Sequence, residues 1–224
     1  PGEFHGVSAF DLKAKLDPDV SKEDSFSTVF GQQLADFGDQ DTALCAVTAA
    51  MKYGTGLQYF YKRHKERFFD VGMAEQHAVT FGAGLARGGL RPVVAIYSTF
   101  LQRSYDQLIH DVHLQGLNVL FAIDRAGLVP GDGETHQGIY DAAYLSQLEH
   151  MKVASPANYA ELRFWLKKAL YEWSGPRAIR YPRGKEDEAL AALGCTGKDF
   201  DMYPAKEAAD TVLVSYSGET AQAL

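Results

Sequence analysis

An α/β fold, with a mostly parallel sheet flanked by helices on both faces, is what the sequence predicts, and three observations predict it. Short apolar runs rich in β-branched and aromatic residues recur along the chain. Stretches of helical period separate most of them, and the run centres fall about 25–30 residues apart, the length that a strand, a crossover helix and a return require. The runs are also apolar on both faces, which places the sheet between two layers instead of leaving one side wet.

The charged stretch Asp11–Asp24, interrupted by Pro18, reads as a linker into the first helix. Ser25 is an N-cap residue type, and behind it Phe26, Val29, Phe30, Leu34 and Phe37 form a stripe facing a sheet, with Gly38 as the expected stop. Strands are expected at Ala43–Val47, Arg67–Val71, Val93–Ile96, Val119–Ile123, Lys152–Ala154 and Ala178–Tyr181. A further helix lies between Tyr159 and Trp173, where Leu162, Trp165, Leu166, Ala169 and Leu170 recur on one face; these aromatics read as core. Lys185–Pro204 is a second polar connection, after which Thr211–Tyr216 looks like a fresh strand and Glu219 the start of its helix. One strand and half a helix cannot bury their own apolar faces, so this end reads as the severed beginning of another domain. The start, Pro1-Gly2-Glu3-Phe4 without Met, reads as an entry midway through a longer polypeptide. The expected division is therefore 1–24 linker, 25–184 domain, 185–210 linker and 211–224 truncated start of a following domain.

Composition removes several classes of function. With 46% hydrophobic and 23% charged residues, the 224-residue chain has the make-up of an ordinary globule. A chain this long hides roughly 70% of its unfolded surface, enough to fold without disulfides or a structural metal. Its two cysteines, Cys45 and Cys195, form no CxxC pair, and a reducing, cytoplasmic compartment is the default. Twenty-nine acidic against 22 basic residues give a charge of −7, which repels a phosphate backbone and speaks against nucleic acid. The longest apolar run, near Pro92–Ile96, is far short of the roughly 20 residues that cross a bilayer, so no membrane partner is expected.

The polar residues hardest to explain as packing sit at the carboxyl ends of the expected strands, where ligands bind in open α/β sheets because crossover loops and helix N-termini converge there. After the second strand comes Asp70-Val71-Gly72-Met73-Ala74-Glu75-Gln76-His77, and after the third Tyr97-Ser98-Thr99-Phe100-Leu101-Gln102-Arg103. The fourth is followed by Asp124-Arg125-Ala126-Gly127 and then by Asp132-Gly133-Glu134-Thr135-His136-Gln137-Gly138; the sixth ends in Tyr181-Pro182-Arg183-Gly184. Any one of these could be a cap or a surface charge. Their shared position argues for a site.

The strings AEQHAV, IYSTFLQR, DRAG and DGETHQG, in this order and at these spacings, resemble the 1-deoxy-D-xylulose-5-phosphate synthase family of the transketolase superfamily. The likeness runs from Phe4-His5-Gly6-Val7 to Tyr181-Pro182-Arg183-Gly184, and residues 25–184 resemble that family's middle, pyrimidine-binding domain. The resemblance implies a thiamine-diphosphate-dependent transferase that condenses pyruvate, with loss of CO2, and D-glyceraldehyde 3-phosphate into 1-deoxy-D-xylulose 5-phosphate, the first step of non-mevalonate isoprenoid synthesis. It implies a bacterial cytosol or a plastid as location. Glu75 matches the glutamate that shares a proton with the pyrimidine N1′, and Phe100 the aromatic that stacks on the pyrimidine. Tyr97, Arg103, Arg125 and Arg183 match positions near the substrates and the acceptor phosphate, for which guanidinium forks are suited. Asp132, His136 and His5 match residues lining the reaction channel, where histidines relay protons near neutral pH. Magnesium is expected, but its ligands and the diphosphate grip belong to the family's first domain, so the implied partners are that domain or fragment and a homodimer of the whole enzyme. Alternatives are half of another superfamily enzyme, such as a transketolase, or a non-catalytic pyrimidine-domain binding module. The sequence departs from the common family form at Pro130-Gly131 and at Ala49, both in loops.

Two patterns imitate metal sites. Gly131-Asp132-Gly133 with the distant Asn158 mimics the superfamily's magnesium motif, yet Asp132 falls inside a loop already placed by the longer match. His110 and His113 suggest a ligand pair but have no evident third member, and a solvated helix face explains them. No metal ligand is assigned to this chain.

Overall fold

A computed structural model of the protein describes residues 24–199 and 215–217. His5, most of the 1–24 linker and nearly all of the 211–224 segment lie outside the described residues. The six expected strands all form, with ends within two residues of expectation: β1 Leu44–Thr48, β2 Phe68–Asp70, β3 Arg91–Tyr97, β4 Leu120–Asp124, β5 Lys152–Ala154 and β6 Arg177–Arg180. They make one sheet in the order β2-β1-β3-β4-β6-β5, with every pairing parallel. The chain leaves β1 toward β2 on one side and returns to β3 on the other, so the order reverses at β1, the kind of place where a crevice opens beyond the strand ends.

Helices cover both faces, and strand periodicity shows how. Leu44, Ala46, Val93, Ala95, Leu120, Ala122 and Ile179 point into a core shared with α1 (Phe26–Gln40), α2 (Gln58–Arg63) and α7 (Tyr159–Tyr171). Their alternates Val47, Val94, Ile96, Phe121, Ile123 and Ala178 point into a second core with α3 (Glu75–Arg87), α6 (Asp141–Ser146) and the helical stretch 98–113. That stretch changes pitch as it runs, from α4 (Ser98–Leu101) through a 3₁₀ turn and α5 (Tyr105–Gln107) into a π-helical turn at Leu108–His113. His110 on it is exposed and His113 half-buried.

Ser25 caps α1 as expected, its hydroxyl accepting from the Thr28 amide at 3.2 Å. Gly38 does not stop the helix, which continues to Gln40. Gly38 is there for room: a Cβ would collide with the His64 and Phe60 rings, and its carbonyl accepts from Arg67 Nη2 at 2.9 Å. A close approach, not a left-handed turn, selects the glycine.

The connection beginning at Lys185 holds a short helix of its own, α8 (Glu188–Leu193). Asn158 docks it. While its Oδ1 caps α7 by accepting from the Glu161 amide, its Nδ2 donates to the carbonyls of Leu190 and Gly194, each at 2.8 Å. The residue that imitates a magnesium ligand in the sequence is thus a buried cap and strut.

Candidate functional site

The carboxyl ends of β2, β3 and β4 place the expected residues. Glu75 is the first residue of α3, beyond β2, and is 4% exposed. Arg103, in the 3₁₀ turn after α4, reaches back and donates from Nη1 to both its oxygens, at 3.2 and 3.3 Å. The Arg103 guanidinium lies 5.5 Å from the centre of the Phe100 ring. A buried carboxylate, an arginine and a half-buried aromatic are therefore gathered in one place by the segments that follow β2 and β3.

Phe100 continues the chain of contacts in two directions. Its ring stacks on Tyr97 at 5.6 Å with a 19° interplanar angle, and meets His136 edge-on at 5.3 Å. His136 arrives on the short turn Glu134–His136, held over α4 because Thr99 Oγ1 donates to the Thr135 carbonyl at 2.9 Å. Tyr97 ends β3 and lies in register with Asp124, the end of β4. Burial pushes its phenol up to about 12, so it stays protonated and uncharged near neutral pH.

Arg125 sits 3.7 Å over the Tyr97 ring. Its backbone has φ +57°, unusual for a side chain this large, and its Nη1 donates to the Gly54 carbonyl at 2.7 Å and to Asp124 Oδ1 at 2.8 Å. Gly54 must be glycine, because a Cβ would overlap the Tyr97 hydroxyl. Arg125, Arg183, Gly184 and the start of α1, with Ser25, Ser27 and Thr28, line a cavity of ≈ 220 Å³. Hydroxyls and two guanidinium groups around an open space suit an anion. Arg183 also donates to the Pro130 carbonyl at 2.6 Å and pairs with Asp132 at 3.0 Å.

The expected residues thus fall into two linked groups. Glu75, Arg103, Phe100, His136 and Tyr97 form one run of contacts; Arg125, with Arg183 and Asp132 beyond it, borders the cavity. Tyr97 belongs to both. Arg103, expected near the substrates, pairs with Glu75 through Nη1 while its side chain stays 57% exposed. Two residues to which the sequence assigns no role join the site: Asp124, buried beneath Arg125, and Ser27, whose hydroxyl donates to Asp124 Oδ2 at 2.6 Å. An aspartate ending an apolar strand was a signal for the first. Nothing local marks Ser27, which lies 97 residues away.

The family described as "Transketolase, pyrimidine binding domain" matches residues 22–187. The chain is 51% identical over 202 residues to the 1-deoxy-D-xylulose-5-phosphate synthase of Clostridium kluyveri, covering 90% of this chain and 31% of that protein. It is 54% identical over 185 residues to the enzyme of that name from Dictyoglomus turgidum, covering 83% and 29%. The chain spans about a third of the length of the curated relatives it matches. A solved structure described as a split-gene transketolase, inactive beta4 tetramer, matches at 30% identity with a TM-score of 0.66, over 74% of this chain and 54% of that one. Transketolase from Campylobacter jejuni, at 17% identity and a TM-score of 0.61 over 70% and 25%, shares the fold.

Proposed function

The chain belongs to the transketolase pyrimidine-binding-domain family, and on that premise we propose that it supplies the pyrimidine side of a thiamine-diphosphate site making 1-deoxy-D-xylulose 5-phosphate from pyruvate and D-glyceraldehyde 3-phosphate. The observation that carries the reading is Glu75: a carboxylate almost wholly removed from water at the first position of a helix, paired with the Arg103 guanidinium that lies over the Phe100 ring. A buried carboxylate is costly; Arg103 offsets part of that cost, and such groups gather at functional sites.

The residues present fit the pyrimidine end of the cofactor. Glu75 would hold the ring nitrogen and share a proton with it, and Phe100 would offer a flat apolar face to a flat heterocycle. When bound, thiamine diphosphate supplies the electron sink that lets a 2-oxo acid lose CO2 and join an aldehyde. His136, its Nδ1 3.0 Å from Thr135 Oγ1, would move protons to and from substrate oxygens beside Phe100. Arg125 and Arg183 would take the acceptor phosphate in the cavity they line, with Tyr97 between that cavity and the Phe100 face. Among the described residues no three His, Cys, Asp or Glu side chains gather as a metal ion requires. Magnesium and the diphosphate grip would belong to a companion domain, as the family resemblance implies. His5 would join the channel from the linker. No helix of the described residues is long and apolar enough to cross a membrane.

A second reading has one observation in its favour. The 30% identity to a split-gene transketolase subunit supports a transketolase half. Identities above 50% to the synthases weigh against it, and a donor panel of pyruvate against ketose phosphates separates the two.

The decisive experiment mixes this chain with a separately made first domain, thiamine diphosphate, magnesium, pyruvate and glyceraldehyde 3-phosphate. The parent mixture forms product, whereas Glu75→Gln lowers kcat on the order of 10²-fold or more, because an amide cannot exchange the proton. A Glu75→Gln mixture as active as the parent rejects the proposed role.

A further inference from the structure

Beneath the cavity lies a charged group that the proposed chemistry does not use. Asp124 ends β4 with no exposed surface, and both its oxygens are engaged: Oδ2 accepts from Ser27 at 2.6 Å and Oδ1 from Arg125 Nη1 at 2.8 Å. Burial raises its pKa to about 6, so keeping it ionised near neutral pH costs stability. A buried ion pair is weak evidence for stability, since apolar packing of equal volume often serves a fold as well or better. Something other than stability must explain the group.

What it explains is Arg125. That residue follows Asp124 directly, holds its backbone at φ +57°, and turns its guanidinium back so that Nη1 is shared between Asp124 and the Gly54 carbonyl. Its Nε is buried without a hydrogen-bond partner among the described residues. The single nitrogen Nη1 thus takes the anchoring contacts, while the planar group stays clamped over the Tyr97 ring and remains part of the cavity lining. A left-handed backbone and an unsatisfied nitrogen are costs that persist where surrounding structure over-determines the geometry.

We propose that Asp124 is a positioning residue: with Ser27 of α1 it fixes the Arg125 guanidinium in the cavity, so that the first turn of α1 and the end of β4 together set the geometry of phosphate capture. The proposal rests on the reading of that cavity as the acceptor-phosphate subsite. Asp124 itself does not line the cavity. Ser27 serves twice, since it lines the same cavity and orients the carboxylate from the side opposite Arg125 in the hydrogen-bond chain.

The test is a titration of the 224-residue chain with inorganic phosphate, followed by calorimetry, on the parent and on Asp124→Asn, Ser27→Ala, Arg125→Gln and the Asp124→Asn/Arg125→Gln double variant. Arg125→Gln is expected to weaken binding at least 10-fold. Asp124→Asn, near-isosteric but uncharged, should weaken it about 5-fold or more, Ser27→Ala about 2-fold or more, and Asp124→Asn should add nothing in the Arg125→Gln background, the non-additivity of groups acting through one another. A merely structural role would lower the unfolding midpoint of Asp124→Asn while leaving phosphate affinity in the folded protein intact. Loss with Arg125→Gln but parental affinity in both Asp124→Asn and Ser27→Ala overturns the positioning role alone. A parent that binds no phosphate overturns the subsite reading and the positioning role with it. Should Asp124→Asn not fold, Ser27→Ala decides: parental affinity in that variant overturns the proposal.

Discussion

At the scale of single residues, the site is governed by what burial does to polar groups. Asp124 is the clearest case, because its carboxyl lies at about 6 in the folded protein against an ordinary 3.8. A group whose folded value is raised binds its proton more readily when folded. Its contribution to stability is therefore complete below about pH 4 and is lost as pH rises through about 6. Function runs the other way, since the charge facing Arg125 is present above about pH 6 and disappears as pH falls through it. Denaturant unfolding of the parent and of Asp124→Asn between about pH 4 and 7 should show the parent losing more stability than the variant on the way up. Phosphate affinity, compared between the two at each pH, should converge as pH falls below 6. Besides Arg125 and Ser27, the groups whose charges bear on Asp124 are Tyr97 and Tyr181, both neutral in this range because burial raises their phenols. The strings that carry Glu75, Tyr97, Phe100 and Arg125 stand out in the sequence because each follows an apolar run, and the resemblance of those strings to a known family picks out the individual residues. That Arg103 would be held by Glu75 was not legible: the two are 28 residues apart and meet only after α3 and the 98–113 stretch pack together.

At the scale of elements, backbones approach closely where the site is built. Gly31 of α1 and Gly56 of the loop after β1 face each other so tightly that a Cβ on either would strike main-chain atoms of the other segment. This contact seats the first turns of α1 against the loop that supplies Gly54 to Arg125. Gly31→Ala, which helix propensity alone would favour, should instead cost about 1–3 kcal/mol by overpacking, read as a lower denaturant midpoint. Asn158 makes a second junction. Asn158→Ala should remove about 1 kcal/mol of capping from α7 and, with both carbonyl contacts gone, release α8, seen as faster amide exchange over 188–193 than in the parent. The helical stripes of α1 and α7 are visible in the sequence because burial on one side imposes a 3.6-residue period. The docking of α8 is not, because a six-residue helix carries too little of that period, and its one buried residue, Leu190, resembles any loop leucine.

At the scale of the whole molecule, the chain is acidic, with 29 acidic against 22 basic residues, yet its proposed substrates are anions. The cavity resolves the conflict locally by converging Arg125 and Arg183 on one opening. General repulsion and local attraction are both screened by salt, but the exposed part more strongly. Raising ionic strength from about 0.05 to 0.5 M should therefore weaken phosphate binding only modestly, by about 2- to 5-fold, because the partly buried Arg125 retains its hold. A loss of 100-fold or more would place the binding on solvent-exposed charge instead.

By itself the sequence determined the six strands, the helices on both faces and the strand ends at which chemistry gathers, because apolar periodicity and chain length between runs are local quantities that folding has to respect. Only the tertiary structure decided the order β2-β1-β3-β4-β6-β5, the pairing of Glu75 with Arg103 and the burial of Asp124 between Ser27 and Arg125. Those depend on which distant segments come to share the same few ångströms, a contest among packing, desolvation and hydrogen bonding that no single stretch of the chain contains.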